Sequence, residues 1–132
     1  MEAAEVHKLD IDNPIIAHLE RCQGWLTEAL DTDTYTWEHV VREVLAGKAQ
    51  LWPGKNCAIV TTDEIYPSGE RVLQTWLAGG DMAEILQMAP GIEALARLRG
   101  CTASLIEGRK GWIKTMKPHG YELWSVTLRK AL

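Results

Sequence analysis

The sequence contains no phenylalanine; its aromatic side chains are six tryptophans and three tyrosines. A core without phenylalanine has to be built from aliphatic residues and tryptophan, so Trp25, Trp37, Trp52, Trp76, Trp112 and Trp124 are expected mostly on buried faces. Trp52, ahead of a Pro-Gly pair, and Trp76, at a strand end, are the two expected to line a cleft or an interface. No apolar run approaches the roughly 20 residues that cross a bilayer. The opening MEAAEVHKLDID is acidic and has no apolar stretch, so no secretory leader is expected and the cytoplasm is the expected location. The three cysteines, Cys22, Cys57 and Cys101, are odd in number, widely spaced and without a CxxC pair. That argues against a disulfide framework and against a zinc site, and no metal is expected. Each reads as a small buried hydrophobe. No Ser/His/Asp or Cys/His constellation is evident. Internal repeats, low-complexity tracts and linkers are also lacking.

With 132 residues, 46% hydrophobic and 24% charged, the chain suits one domain over 1–132, with 1–11 as a flexible N-terminus. The net charge of −4 hides an asymmetry. Residues 1–96 carry six Lys/Arg against sixteen Asp/Glu, and residues 97–132 carry eight against two. The basic set is Arg97, Arg99, Arg109, Lys110, Lys114, Lys117, Arg129 and Lys130. It would suit an anionic ligand, or self-association of the basic end with the acidic end; a solvated face is the plain alternative. Nucleic acid is not an expected partner, because the whole chain is acidic and carries no recognised nucleic-acid motif.

Asn13-Pro14 opens a first helix as N-cap and N1 proline, and Ile15, Leu19, Cys22, Leu26 and Ala29 follow at helical spacing. Thr36 caps a second helix with Trp37, Val40, Val41, Val44 and Leu45 on its buried face, ended by Gly47. Gln50–Trp52, Cys57–Ile65 and Glu70–Leu77 read as three strands joined by short turns, an antiparallel meander. Ala78-Gly79-Gly80 is expected to break the sheet, and Asp81 to cap a helix carrying Ile85, Met88, Ala89, Ile92, Leu95 and Ala96. Pro90 should kink or split that helix. A short strand at 102–107, a basic helix at 109–117 and a last strand at 121–130 complete the order. Strand–helix–strand implies a right-handed parallel crossover, with a cleft at the strand ends.

The segments WPGKNCAIVTTDEIYPSGERVLQTWL and IEALARLRGCTASLIEG, within the order α, α, β, β, β, α, β, α, β, resemble the GNAT superfamily of acyl-CoA-dependent N-acyltransferases. The fold class implied is α/β (α+β): a GNAT-like mixed sheet, an antiparallel meander plus a parallel crossover, with helices on both faces. Ala96-Arg97-Leu98-Arg99-Gly100-Cys101 is similar to the Ala-Arg-x-x-Gly-Cys pattern common at the end of that family's central helix. The combination LWPG…VTT…YP…GG…AP.IE…GC…GR.GW also looks like small GNAT-like proteins of bacteriophages and prophages.

The resemblance implies an acetyl-CoA or other acyl-CoA cofactor and an amine acceptor. The family's pyrophosphate loop maps to Ala78-Gly79-Gly80-Asp81-Met82, which keeps two glycines but lacks the usual Gln/Arg and adds Asp81. The cofactor-binding set is then Trp76, Leu77, Ala78, Gly79, Gly80, Arg109 and Lys110. Amine acylation needs a base and an acid. Tyr121 is the tyrosine nearest the last helix, where the family often places its acid, and Glu70 is the carboxylate assigned as base. Glu64 is an alternative base, and His119 is a further candidate for the same chemistry. The competing expectation is a non-catalytic, phage-derived binding or assembly protein acting on a phage or host protein, self-association included.

Overall fold

A computed structural model describes residues 13–132; the expected flexible N-terminus, 1–11, lies outside the described residues. Helix α1 (Pro14–Ala29) starts where the Asn13 side chain accepts a hydrogen bond from the Ile15 amide, and it turns Leu19, Cys22 and Leu26 inward. Helix α2 (Trp37–Leu45) is capped by the Thr36 hydroxyl, which accepts from the His39 amide. Strands β1 (Gln50–Pro53), β2 (Cys57–Ile65) and β3 (Arg71–Gly80) form the antiparallel meander. Helix α3 (Met82–Leu98) leads to strand β4 (Ala103–Ile106), which pairs parallel to β3. The short helix α4 (Gly111–Met116) and a 3₁₀ turn (Lys117–His119) follow.

The sheet order is β1-β2-β3-β4, and it separates two apolar layers. On one face α1 and α2 close over Ala58, Val60 and Leu77. On the other, α3 and α4 close over Cys57, Ile59 and Leu73 through Ile85, Ile92, Ala96 and Trp112. Helices therefore cover both faces of a mixed sheet, and the mixed α+β, GNAT-like architecture is the observed one. All three cysteines are buried and free. The one fully buried polar side chain named in the core, Thr61, is satisfied: it accepts from Trp52 Nε1 at 2.8 Å and donates to Gln50 Oε1 at 3.1 Å.

Three local expectations are corrected. Ala78-Gly79-Gly80 does not break the sheet; it pairs with Ile59, Ala58 and Cys57. The backbone there is wedged between other chain segments, so a pair of glycines is what lets the strand continue. Pro90 does not split α3, which runs unbroken from Met82 to Leu98. Pro90 and Gly91 sit on its exposed side, away from the core contacts of Ile85, Ile92 and Ala96. Residues 121–130 form no strand. Their alternation favours an extended chain, but a strand needs a neighbour to bond to, and beyond Tyr121 this segment lies exposed. Five of the six tryptophans are half-buried as expected, and Trp124 is the exposed exception.

Candidate functional site

The parallel ladder of β3 and β4 is only four rungs long, from Val72↔Ala103 to Thr75↔Ile106. β3 then continues through Trp76–Gly80 with β2 as its one bonded neighbour. Val60 pairs with Leu77 while Thr61 pairs with Thr75, so Trp76 is an extra residue in β3, a β-bulge one step past the last parallel rung. A bulge sharpens local twist and re-aims side chains. Trp76 is turned onto Tyr35 and His39, with ring centroids 5.2 and 5.8 Å away, both edge-on. After Ile106 the chain leaves the sheet for α4. The two parallel strands thus lose contact at their carboxyl ends, the place where α/β sheets take ligands.

Helix α1 crosses this opening. A Cβ at Gly79 would stand 2.2 Å from the Trp25 carbonyl oxygen, so β3 and α1 touch backbone to backbone. One turn further on, the Glu28 carbonyl accepts from the Arg109 guanidinium at 3.2 Å. Gly80 has a φ of +102° and a Cβ there would lie 2.4 Å from the Asn56 carbonyl oxygen, so both its conformation and its surroundings favour glycine. The structure brings Trp76, Leu77, Ala78, Gly79, Gly80 and Arg109 to one end of the sheet. Leu77 is buried, Ala78 packs toward α3, and Lys110 is exposed at the start of α4.

The start of α3 beside them is rich in carboxylate. The Asp81 side chain accepts from the Ala83 amide at 3.1 Å, and the Asp81 amide donates to the Asn56 carbonyl at 2.9 Å. Glu84 accepts from the amides of Lys55 and Asn56, both at 2.7 Å, and these two bonds hold its pKa below the usual value. Arg21 of α1 donates to the carbonyls of Gly54 and Lys55, at 2.9 and 3.2 Å. The β1–β2 turn is therefore clamped between α1 and α3.

Lower on the same sheet edge, Tyr121 stands beside β4. Its hydroxyl lies 2.6 Å from Ser104 Oγ and donates to Glu93 Oε2 at 3.1 Å. Burial raises its pKa most; the Ser104 bond opposes that, and the Glu93 charge adds to it, so the phenol stays protonated at neutral pH. Tyr121, Ser104, Glu93 and Leu73 line both of two adjoining cavities. One is an open cleft of about 450 Å³ along β4 that also takes in Glu70, Arg97 and His119. The other is a small apolar pocket of about 40 Å³ under Thr75, Ala78 and Ile106, walled by Trp112. Glu70 lies on the wall of the cleft that holds Tyr121, where it accepts from the Thr102 hydroxyl at 2.9 Å. Glu64 is exposed on β2.

Sequence reasoning did not single out Glu93 or Ser104. A signal for Glu93 existed, since Ala89, Glu93 and Ala96 recur at spacings of four and three, which sets a carboxylate into the apolar stripe of α3. Ser104 carried none, being one polar residue in the short strand ASLI. Among the described residues, no group of three or more His, Cys, Asp or Glu converges to hold a metal ion, and no helix is long and apolar enough to cross a membrane.

A meander, a crossover helix and a parallel strand that parts from its neighbour define a GNAT-like fold. In keeping with this, the chain is similar in structure to an acetyltransferase of Trypanosoma brucei, with a TM-score of 0.56 over 73% of this chain and 78% of that one. The two are 8% identical in sequence, so the likeness is one of fold. No protein-family model matches the sequence, and no curated protein does.

Proposed function

We propose that the protein is an acyl-CoA-dependent N-acyltransferase, and the observation that carries this reading is the parting of β3 and β4 after Thr75 and Ile106. The fit of the cofactor is one-sided. Residues 76–80 of β3 lack a β4 neighbour, which leaves backbone groups for the amides of a pantetheine arm. Arg109 and Lys110 across the opening supply the cations for a pyrophosphate. An acyl-CoA supplies a thioester whose carbonyl an amine attacks, displacing a thiolate. In this reading Tyr121, kept protonated by burial and Glu93, donates the proton that the thiolate takes up. Glu70, on the same cleft but below the four parallel rungs, is the carboxylate this reading assigns to the proton that the amine loses.

Calorimetric titration of acetyl-CoA and of CoA into the full chain tests the reading. Micromolar binding that weakens about tenfold in Arg109→Ala/Lys110→Ala, and is unchanged in Tyr121→Phe, is the expected result. No heat at millimolar ligand, with no thermal stabilisation, refutes it.

One observation favours a second reading, a non-catalytic binding or assembly protein. The carboxylates of Asp81 and Glu84 sit at the start of α3, where a phosphate would otherwise find amide donors and the positive end of the helix dipole. Failure of acyl-CoA to bind would leave this reading standing.

A further inference from the structure

We infer that the small apolar pocket beneath the opening seats the acyl group, and that Trp112 limits that group to a short, uncharged chain. The inference rests on the acyl-transfer reading and adds to it the class of acyl donor. The pocket begins where β3 and β4 part. Thr75 and Ile106, the last parallel rung, line it together with Ala78 further along β3. Tyr121 stands on its wall. A phenol that protonates the leaving sulfur has to lie beside the thioester. The acyl chain hangs from the carbon bonded to that sulfur, so the apolar space next to Tyr121 is the nearest one open to it.

The lining decides what can enter. Ile59, Leu73, Ile85, Ile92 and Met116 bring it against the buried core. The polar side chains of Ser104, Tyr121 and Glu93 are bonded in a row, at 2.6 and 3.1 Å, and no Lys, Arg or His lines the pocket. An alkyl group leaves water favourably there, whereas a second carboxylate would meet Glu93 with no cation to offset it. The free volume is about 40 Å³, and a water-sized group needs roughly 10–15 Å³ of such space, so the pocket holds about three non-hydrogen atoms. That is the tail of a butyryl group. A longer chain has to displace a wall.

Trp112 is the wall that sets the limit. It lines the pocket from α4 with Met116, one helical turn on, beside it. Its ring lies against the backbone of Gly108, where an added Cβ would stand 2.8 Å from Cδ1 and 3.1 Å from Nε1. Glycine at 108 is what admits the ring, and packing on backbone fixes its position. The Trp112 amide donates to the Arg109 carbonyl at 3.0 Å, which ties the indole to the segment that carries the cations. The indole is the largest side chain in the lining, so its truncation would lengthen the pocket more than any other.

Calorimetric titration of the full chain with CoA and with acetyl-, butyryl-, hexanoyl-, octanoyl- and succinyl-CoA tests it, a binding measurement that needs no acceptor amine. Affinity should rise about fourfold per added carbon from acetyl to butyryl. It should fall back to the CoA value or below for hexanoyl and octanoyl, and succinyl-CoA should bind no tighter than CoA. Trp112→Ala should move the maximum to hexanoyl or longer. Because Trp112 also packs on the core, Ala89→Leu is the second variant: its longer side chain fills the pocket from α3, and butyryl-CoA should lose its advantage over CoA while the domain still melts cooperatively. CoA binding with no dependence on the acyl chain, or with affinity climbing through octanoyl, overturns the inference and leaves the acyl-transfer reading intact. A butyryl preference that survives both substitutions overturns it as well. Failure of CoA and of every acyl-CoA to bind overturns that reading and the inference with it.

Discussion

Two glycines on neighbouring elements should respond to the same substitution with opposite signs. At Gly79 an added Cβ would stand 2.2 Å from the Trp25 carbonyl oxygen and 2.8 Å from its carbon. Ordinary contact begins near 3.4 Å, so the backbones of β3 and α1 would have to separate by about 1 Å. Neither can move alone, because α1 carries Leu19, Cys22 and Leu26 into the core and β3 carries Leu77. Overpacking between two fixed elements places Gly79→Ala at about 2–4 kcal/mol of destabilisation. At Gly91, in the exposed middle of α3, nothing lies within 4 Å of the added atom. Replacing a mid-helix glycine there should stabilise by up to ~1 kcal/mol. For a domain of this size 1 kcal/mol corresponds to about 3–4 °C in Tm. Thermal melts followed by circular dichroism should therefore show Gly79→Ala falling by roughly 6–15 °C and Gly91→Ala rising by about 3 °C. A Gly79→Ala protein melting within a degree of the parent would refute the packing argument. It would return Gly79 to the role of a residue kept small for an approaching ligand.

Asp63 accepts from Arg99 at 2.8 Å through both carboxylate oxygens and from Arg71 at 3.3 Å, which lowers its pKa. A depressed carboxylate contributes stability that is present above its unfolded pKa and lost as pH falls through the folded value. Asp63→Asn should cost about 1–2 kcal/mol at pH 7 and flatten the loss of stability below pH 4 in urea titrations; an unchanged acid limb would exclude this ion pair as its source. Tyr121 gives the opposite limb, since its raised pKa contributes stability that is intact below about pH 10 and lost as pH rises through the folded value. Tyr121→Phe should remove part of that alkaline loss, and denaturant melts above pH 10 would detect it. Burial first, and then the Glu84 carboxylate, push the Cys57 thiol up to about 11. It should resist alkylation at pH 8 in the folded protein and react on unfolding in guanidinium, whereas rapid native labelling would contradict its buried position.

The elements written most plainly in the sequence are those whose signals are local. Asn13-Pro14, Thr36 and Asp81 cap the three long helices as their side-chain chemistry requires. The β-branched run from Cys57 to Ile65 became β2 with its expected bounds. Legibility ended where an outcome depends on a distant partner. Whether Gly79-Gly80 stops a strand or lets it pass beneath a helix depends on Trp25, over fifty residues earlier. Whether 121–130 pairs depends on what occupies the edge of β4. The cleft was expected at the strand ends, yet Tyr121 and Glu70 line a cleft further down the sheet edge, because the turn at Gly120 returns the chain to Ser104 and not to Ile106.

The contacts around the opening also rank its two sides. On the β3 side, the bulge at Trp76, the backbone contact of Gly79 with Trp25 and the clamp of Arg21 and Glu84 on the β1–β2 turn form one connected set. Displacing any one of them disturbs a strand or a helix that anchors the core. On the opposite side, Trp112 packs onto the α3 layer, Arg109 donates to the Glu28 carbonyl at 3.2 Å, and Lys110 next to it is exposed. Arg109 and Lys110 lie on that side; on the β3 side the one cation of the set, Arg21, is engaged by the Gly54 and Lys55 carbonyls, beside the carboxylates of Asp81 and Glu84. The cations best placed to grip an anion at this end of the sheet are therefore Arg109 and Lys110.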